Sequence, residues 1–201
     1  MASNIDPTKP VAGNPTTDSV RVNFLAAKSE ITQIQDSRMF TGFIALQDTF
    51  TNGTPLPLVA NTWKKITNNG LGANTLKTYK PASVNADTVW DTVNNRFVWG
   101  SNLILGDMVD IRLDIEITTT TANQIFFLSM FHGVGATEYE IQFASGFYKT
   151  AGTYRLAEVT GFYMGNTLTL NNYSEIRIKS DSAATVKVNG FYVKFDLPVK
   201  R

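Results

Sequence analysis

The stretch "MVDIRLDIEITTTT", Met108 to Thr121, decides the fold. Val109, Ile111, Leu113, Ile115 and Ile117 take every second position, and Asp110, Arg112, Asp114 and Glu116 fill the places between. A period of two puts the apolar set on one face of a strand and the charged set on the other, so this is a strand with one wet side. The same habit recurs outward in both directions. "FTGFIAL", "NTWKKIT", "NRFVWG", "QIFFLSMF", "EYEIQFASGFY", "GTYRLAEVTGFYM", "SEIRIKS" and "TVKVNGFYVKFDL" all read as strands. In the last, Val186 and Val188 alternate with Lys187 and Asn189, and Phe191, Val193 and Phe195 continue with Tyr192 and Lys194 opposite. Turn signals at Asn52-Gly53, Asn69-Gly70, Asn94-Asn95, Gly133–Gly135 and Asn189-Gly190 fall between or within the runs. From residue 40 onward no helical pattern interrupts them, and the expectation is a mainly β protein built as a β-sandwich over residues 38–201.

The first residues differ in kind. Residues 1–16 hold Pro7, Pro10, Gly13 and Pro15 among polar side chains. Proline removes amide donors and drives the residue before it to extended geometry, so this segment reads as an extended arm that orders only on a partner surface. Residues 17–37 then read as one short helix. Thr16, Thr17 and Asp18 offer N-caps, and Val20, Phe24, Ala27, Ile31 and Ile34 follow at steps of four, three, four and three. That spacing is a coiled-coil seam bordered by Arg21, Asn23, Lys28, Glu30 and Gln35. A helix this short is marginal alone in water and needs an assembly around it.

At 201 residues the chain can bury one sizeable core. A net charge of +1 gives no electrostatic footprint for nucleic acid or an acidic membrane, so neither nucleic-acid binding nor membrane insertion is expected. The absence of cysteine excludes disulfides and thiolate metal sites. No run approaches the roughly 18 apolar residues of a membrane-spanning helix, and no secretory signal opens the chain. The expectation is a protein made and assembled in the cytoplasm of the cell that synthesises it.

Two segments carry a resemblance to known proteins. "IDPTKPVAGNPTTDSVRVNFLAAKSEITQIQ" resembles the N-terminal segment of tailed-bacteriophage virion proteins of the head-, neck- and tail-fibre type. The matching residues are Pro15, Thr16, Ser19, Val20, Arg21, Asn23, Phe24, Ala27, Lys28, Glu30 and Ile31. "VWDTVNNRFVWGSNLILGDMVDIRLDIEI", with Trp90, Asp91, Asn94, Asn95, Arg96 and Phe97, resembles the trimeric jelly-roll heads of the tumour-necrosis-factor-like and complement-C1q-like family. Together these resemblances imply a jelly-roll head on a homotrimer. Pro7, Pro10, Pro15 and Thr16 would belong to a virion-anchoring arm, and Val20, Phe24, Ala27, Ile31 and Ile34 would form the trimer seam. The implied partners are capsid proteins or those of the neck and portal region, and the implied location is the virion.

Little in the sequence speaks for catalysis. His132 is the single histidine, and its neighbour Ser129 sits in no nucleophile-elbow pattern. Asp107, Asp110, Asp114 and Glu116 could make a hydrolase pair or a calcium site. On an alternating strand, however, the last three form a solvated face awaiting Lys and Arg across neighbouring strands. Gly133–Gly135 lacks the Lys-Ser/Thr ending of a phosphate loop and reads as a turn. No catalytic residue, cofactor site or metal ligand is assigned. The aromatic residues Trp63, Trp90, Trp99, Tyr139, Tyr148, Tyr154, Tyr163, Tyr173 and Tyr192 serve either a core or, where exposed, a glycan platform. The leading expectation is therefore a non-enzymatic structural virion protein, a trimeric head or neck fibre or capsid decoration. The alternative is a carbohydrate-binding, receptor-recognising module of a tail fibre, with a host-surface glycan as its partner.

Overall fold

A computed structural model describes residues 17–37 and 40–197. The chain divides into two units, residues 1–40 and 41–201. In the first, helix α1 spans Thr17–Ser37 with Asp18 in its first turn, where the carboxylate meets the positive end of the helix dipole. Val20 and Ala27 are half-buried, but Phe24 and Ile31 are 71% and 55% exposed. Val22 and Leu25, on the opposite side of the helix from that row, are also open to solvent. The arm residues Pro7, Pro10, Pro15 and Thr16, and the Ile34 side chain, lie outside the described residues.

The second unit is a sandwich of two antiparallel sheets. The first sheet runs β1 (Thr41–Gln47), β11 (Ala184–Asp196), β6 (Met108–Thr119), β9 (Gly152–Tyr163), with β2 (Leu56–Leu58) also paired to β11. The second runs β4 (Trp90–Asp91), β5 (Arg96–Val98), β10 (Tyr173–Ser180), β7 (Gln124–Val134), β8 (Tyr139–Tyr148), with β3 (Lys64–Lys65) on β10. Only the β7–β8 hairpin stays within one sheet among the six long strands; the chain crosses to the other sheet at every other step from β6 to β11. That order is a jelly roll.

Burial follows the alternation. Val109, Ile111, Leu113, Ile115 and Ile117 are all at most 1% exposed and face Phe126, Leu128, Met130, Ile176 and Ile178 of the other sheet. Each such side chain contributes roughly 1.5–3 kcal/mol by leaving water. At one end the core is aromatic: Trp90, Phe97, Trp99 and Phe191 pack with ring centroids 4.7–5.2 Å apart. The indole donors are satisfied there, Trp90 Nε1 by the Asn68 carbonyl at 2.7 Å and Trp99 Nε1 by Ser174 Oγ at 2.8 Å.

The "WDTVNNRF" segment is the β4–β5 hairpin. Asp91 closes its turn by accepting from the Val93 and Asn94 amides at 3.0 Å and from Arg96 Nε at 3.2 Å. Asn95 takes the left-handed backbone that such a turn needs, at φ 50.

Three sequence expectations are corrected by the structure. "NTWKKIT" yields only the two-residue β3. Two one-turn helices, α2 (Phe50–Gly53) and α3 (Thr167–Asn171), break the all-strand reading beyond residue 40. In α2, Asp48 accepts from both the Thr51 amide (2.8 Å) and the Thr51 hydroxyl (2.7 Å), curling the Asn52-Gly53 segment into a helical turn instead of a hairpin. Asn189-Gly190 is also no hairpin turn. It is a β-bulge inside β11, where pairing to β6 shifts between Val188 and Gly190. The extra residue moves the buried set from Val186 and Val188 to Phe191, Val193 and Phe195.

Gly190 sits at φ 153, and a Cβ there would lie 2.5 Å from the Leu46 carbonyl oxygen and 2.9 Å from Gln47 Cα. Both neighbours are backbone of β1 and cannot swing away. Gly190→Ala is expected to lower stability by roughly 1–3 kcal/mol, read as a reduced urea midpoint with an unchanged m-value. Gly53→Ala, where a Cβ meets nothing within 4 Å, serves as the matched control and leaves the midpoint in place.

Candidate functional site

The bulge shapes the outer face of the first sheet. A groove of about 300 Å³ opens there over Gly190, lined by Ala45 and Gln47 of β1, Arg112, Asp114 and Glu116 of β6, Arg155 of β9, Asn189 and Tyr192 of β11, and Asn74. The segment holding Asn74 is tied to the free edge of β1. Ala45 and Leu76 exchange two backbone hydrogen bonds of 2.8 Å, and the Phe43 amide donates to the Tyr79 carbonyl at 2.8 Å. This covers an edge that would otherwise present unpaired amides. It also lays the Tyr79 ring against Phe43 (centroids 5.4 Å apart), and Phe43 stacks in turn on Tyr192 at 4.7 Å.

The carboxylates of β6 are held as the alternating pattern requires. Arg155 Nε and Nη2 donate to the two Asp114 oxygens at 3.0 and 2.6 Å. Lys187 donates to Glu116 at 3.3 Å, and Lys194 to Asp110 at 3.4 Å. Asn189 Nδ2 bridges Asp114 and Glu116 at 3.0 and 3.4 Å. The Arg155 hydrogen bonds, with help from Asn189, hold the Asp114 carboxyl below the ordinary carboxylate range. Asp107, fully buried, accepts from the Ile104 amide at 2.8 Å in the turn before β6. Among the described residues no group of three or more His, Asp or Glu side chains is arranged to hold a metal ion.

A second feature lies at the β8–β9 side of the sandwich. Ile141 and Tyr139 pair with core residues Met130 and His132, yet are 40% and 37% exposed. They flank a cavity of about 310 Å³ completed by Phe162, Tyr163 and the start of α3. Phe147 and Ile125, paired on the outer face of the second sheet, are open too.

His132 is buried, not superficial. Its Nδ1 lies 2.9 Å from Ser174 Oγ, the atom that also accepts from Trp99, and its ring packs on Phe162 and Tyr139. All three members of that chain are sealed from solvent, at 1%, 0% and 0% exposure, so the Ser–His contact meets no substrate. Ser129 bonds Glu140 at 2.7 Å instead of the histidine.

The aromatic residues divide. Trp90 and Trp99 are core. Trp63 is covered by Lys179 and Phe131, and Tyr173 by Arg96. Tyr148 and Tyr154 stack on each other at 4.1 Å. Tyr139 bonds Thr169 at 2.6 Å, Tyr163 stands open beside the β8–β9 cavity, and only Tyr192 belongs to the groove. Phe43, Tyr79 and Asn74, which complete the groove's surroundings, went unread in the sequence. The alternation of "TGFIALQ" does place Phe43 on the same outer face as Ala45.

No protein-family model matches the chain, and no curated protein matches its sequence. Among solved structures it is similar to the N-terminal modules of Clostridium thermocellum xylanase 10B complexed with xylohexaose, at 14% identity and TM-score 0.39 over 79% of this chain. The chain spans 30% of the length of that one. PRD1 vertex protein P5 shares 12% identity at TM-score 0.38, over 77% of this chain and 70% of its own. Eiger TNF from S. frugiperda shares 6% at TM-score 0.36, over 81% and 98%.

The buried imidazole gives a pH dependence of known sign. Burial pushes His132 from its ordinary 6.5 down to about 4. The folded protein keeps the ring neutral where the unfolded chain takes up a proton, so stability is complete above pH 6.5 and falls as pH drops toward 4. Unfolding free energy is expected to be roughly 2 kcal/mol lower at pH 5 than at pH 7. His132→Gln should flatten that window, as measured by urea unfolding at the two pH values. Losses from Asp114 and Asp91, whose carboxyls titrate below the ordinary range, appear only in more acid solution.

Proposed function

We propose that this chain is a non-enzymatic structural protein of a tailed-phage virion, a homotrimeric head or neck fibre or capsid decoration held to the particle by residues 1–16. The observation that carries the proposal is α1. A helix preceding a jelly roll displays Phe24 and Ile31 at heptad spacing, mostly exposed, with Ala27 between them and Val20 before them in the same row. An apolar seam of that period is covered by copies of itself. The same helix carries the residues that resemble phage virion proteins, from Ser19 to Ile31. The exposed apolar side chains at the β8–β9 side of the head are a second surface for a neighbouring copy to cover.

A trimer makes a proline-rich arm effective. One extended peptide binds weakly because ordering it opposes association. Three arms on one assembly raise the local concentration and strengthen attachment by about 10²–10⁴. The anchor's partners are capsid, neck or portal-region proteins.

Two measurements test this. The full chain should sediment as a trimer, and Phe24→Asp with Ile31→Asp should yield a folded monomer; a monomeric wild-type chain overturns the seam. A chain lacking residues 1–16 should remain trimeric and fail to decorate particles. Normal decoration by the truncated protein would refute the anchor.

A further inference from the structure

We propose that the groove over the β11 bulge binds an acidic oligosaccharide, seating a sugar ring against Tyr192 and pairing a sugar carboxylate with Arg112. The site stands on the groove alone and does not depend on the virion reading.

The aromatic wall comes first. Phe43, from β1, covers one face of the Tyr192 ring. Arg112 pairs with Tyr192 from β6, on the other side of β11, and its guanidinium carbon stands 5.9 Å from the ring centroid. The second face of Tyr192 is turned toward the groove with the exposed Arg112 side chain over it, so a sugar seated there meets the guanidinium as well as the ring, and the Phe43–Tyr79 stack behind it fixes the plane of Tyr192. Aromatic faces carry negative potential, and the C–H bonds of a pyranose face are the matching positive surface.

Around that face the lining is dense in groups that bond hydroxyls: the amides of Gln47, Asn74 and Asn189 and the carboxylates of Asp114 and Glu116. Planar amides and carboxylates offer paired sites matched to neighbouring hydroxyls. A volume of about 300 Å³ lies at the lower end for small-ligand sites and suits a short saccharide.

Charge selects within that class. Asp114 is neutralised by Arg155 and Glu116 by Lys187. Arg112 forms no salt bridge among the described residues, although its charge also acts on Asp114; with Lys187 counted beside the lining, the groove carries one positive charge in excess, and Arg112 offers a planar fork shaped for a carboxylate. A polyphosphate fits worse, because its several charges would meet a single unpaired guanidinium. The ligand class is a glycan carrying a uronic or other carboxylated sugar.

The test applies the full-length protein to an array of neutral and carboxylated oligosaccharides, followed by titration with the best-bound member. The wild-type chain should bind carboxylated glycans selectively. Arg112→Gln, an exposed substitution, should weaken binding about tenfold or more. Tyr192→Ala should abolish it, and Trp63→Ala, on the other sheet, should leave it unchanged. Thermal unfolding checks that each variant is folded; should Tyr192→Ala fail to fold, Arg112→Gln decides alone. Binding to no member of the array, binding confined to neutral glycans, or indifference to Arg112→Gln overturns the proposal.

Discussion

Strand β6 has to bury every second side chain while keeping the others wet, and the rest of the sandwich is arranged around that requirement. Five branched side chains along its inner face leave water only if a second sheet lies over the whole length of the strand. The long partners β11 and β9 hold β6 by backbone ladders on both sides, continuous toward β9 and interrupted toward β11 only at the bulge between Val188 and Gly190; on the β11 side the register brings apolar residues opposite apolar ones, as in Ile115 opposite Val188 and Val109 opposite Phe195. The charged face is then forced to resolve itself within the same sheet. It does so across strands, with Lys194 and Lys187 reaching from β11 and Arg155 from β9. Such exposed pairs add little to stability, generally about 0.2–1 kcal/mol each. Their consequence is order, since they fix which charges remain free on that face.

The two ends of the sandwich are treated differently. At β1 the chain folds the 72–79 segment back onto the free edge, satisfying its amides and hiding it from other strands. At the opposite side, β8 and β9 leave core-facing residues such as Ile141 partly in water. The protected edge also carries Asn74 and Tyr79 to the groove, so a device that prevents edge pairing serves to build a concave surface.

Most of the fold was legible in the sequence because its signal is local. Alternation in β6, β10 and β11 names the buried face residue by residue, and Lys and Arg partners for Asp110, Asp114 and Glu116 follow from it. What escaped depends on contacts distant in sequence. Asp48 grips Thr51 three residues on, but what anchors that turn as α2 is the bonding of Thr51 to the Val188 carbonyl and amide on β11. The burial of His132 requires Trp99 and Ser174, brought from separate strands. The bulge stood in plain view as the slip of apolar residues from Val188 to Phe191, and an Asn-Gly pair drew the reading toward a turn. The groove was the least legible feature, since Phe43, Tyr79 and Tyr192 meet only after three segments are assembled.

Gly190 links the fold to its surface. Its missing side chain lets β1 approach β11 closely, and the bulge it sits in restores the inward phase of Phe191, Val193 and Phe195. The same bulge turns Asn189 outward to bridge Asp114 and Glu116 and leaves a hollow beside Tyr192. Stability and surface chemistry therefore share one backbone irregularity, and any side chain at Gly190 disturbs both together. Arg112 lies outside that coupling. It is exposed, takes no part in the salt bridges of the sheet and stands over the Tyr192 ring at the surface, so the charge of the groove can vary with little cost to the sheet beneath it. An arrangement of this kind, a rigid floor set by the bulge and a selecting charge set by a dispensable side chain, allows ligand preference to change while the jelly roll stays as it is.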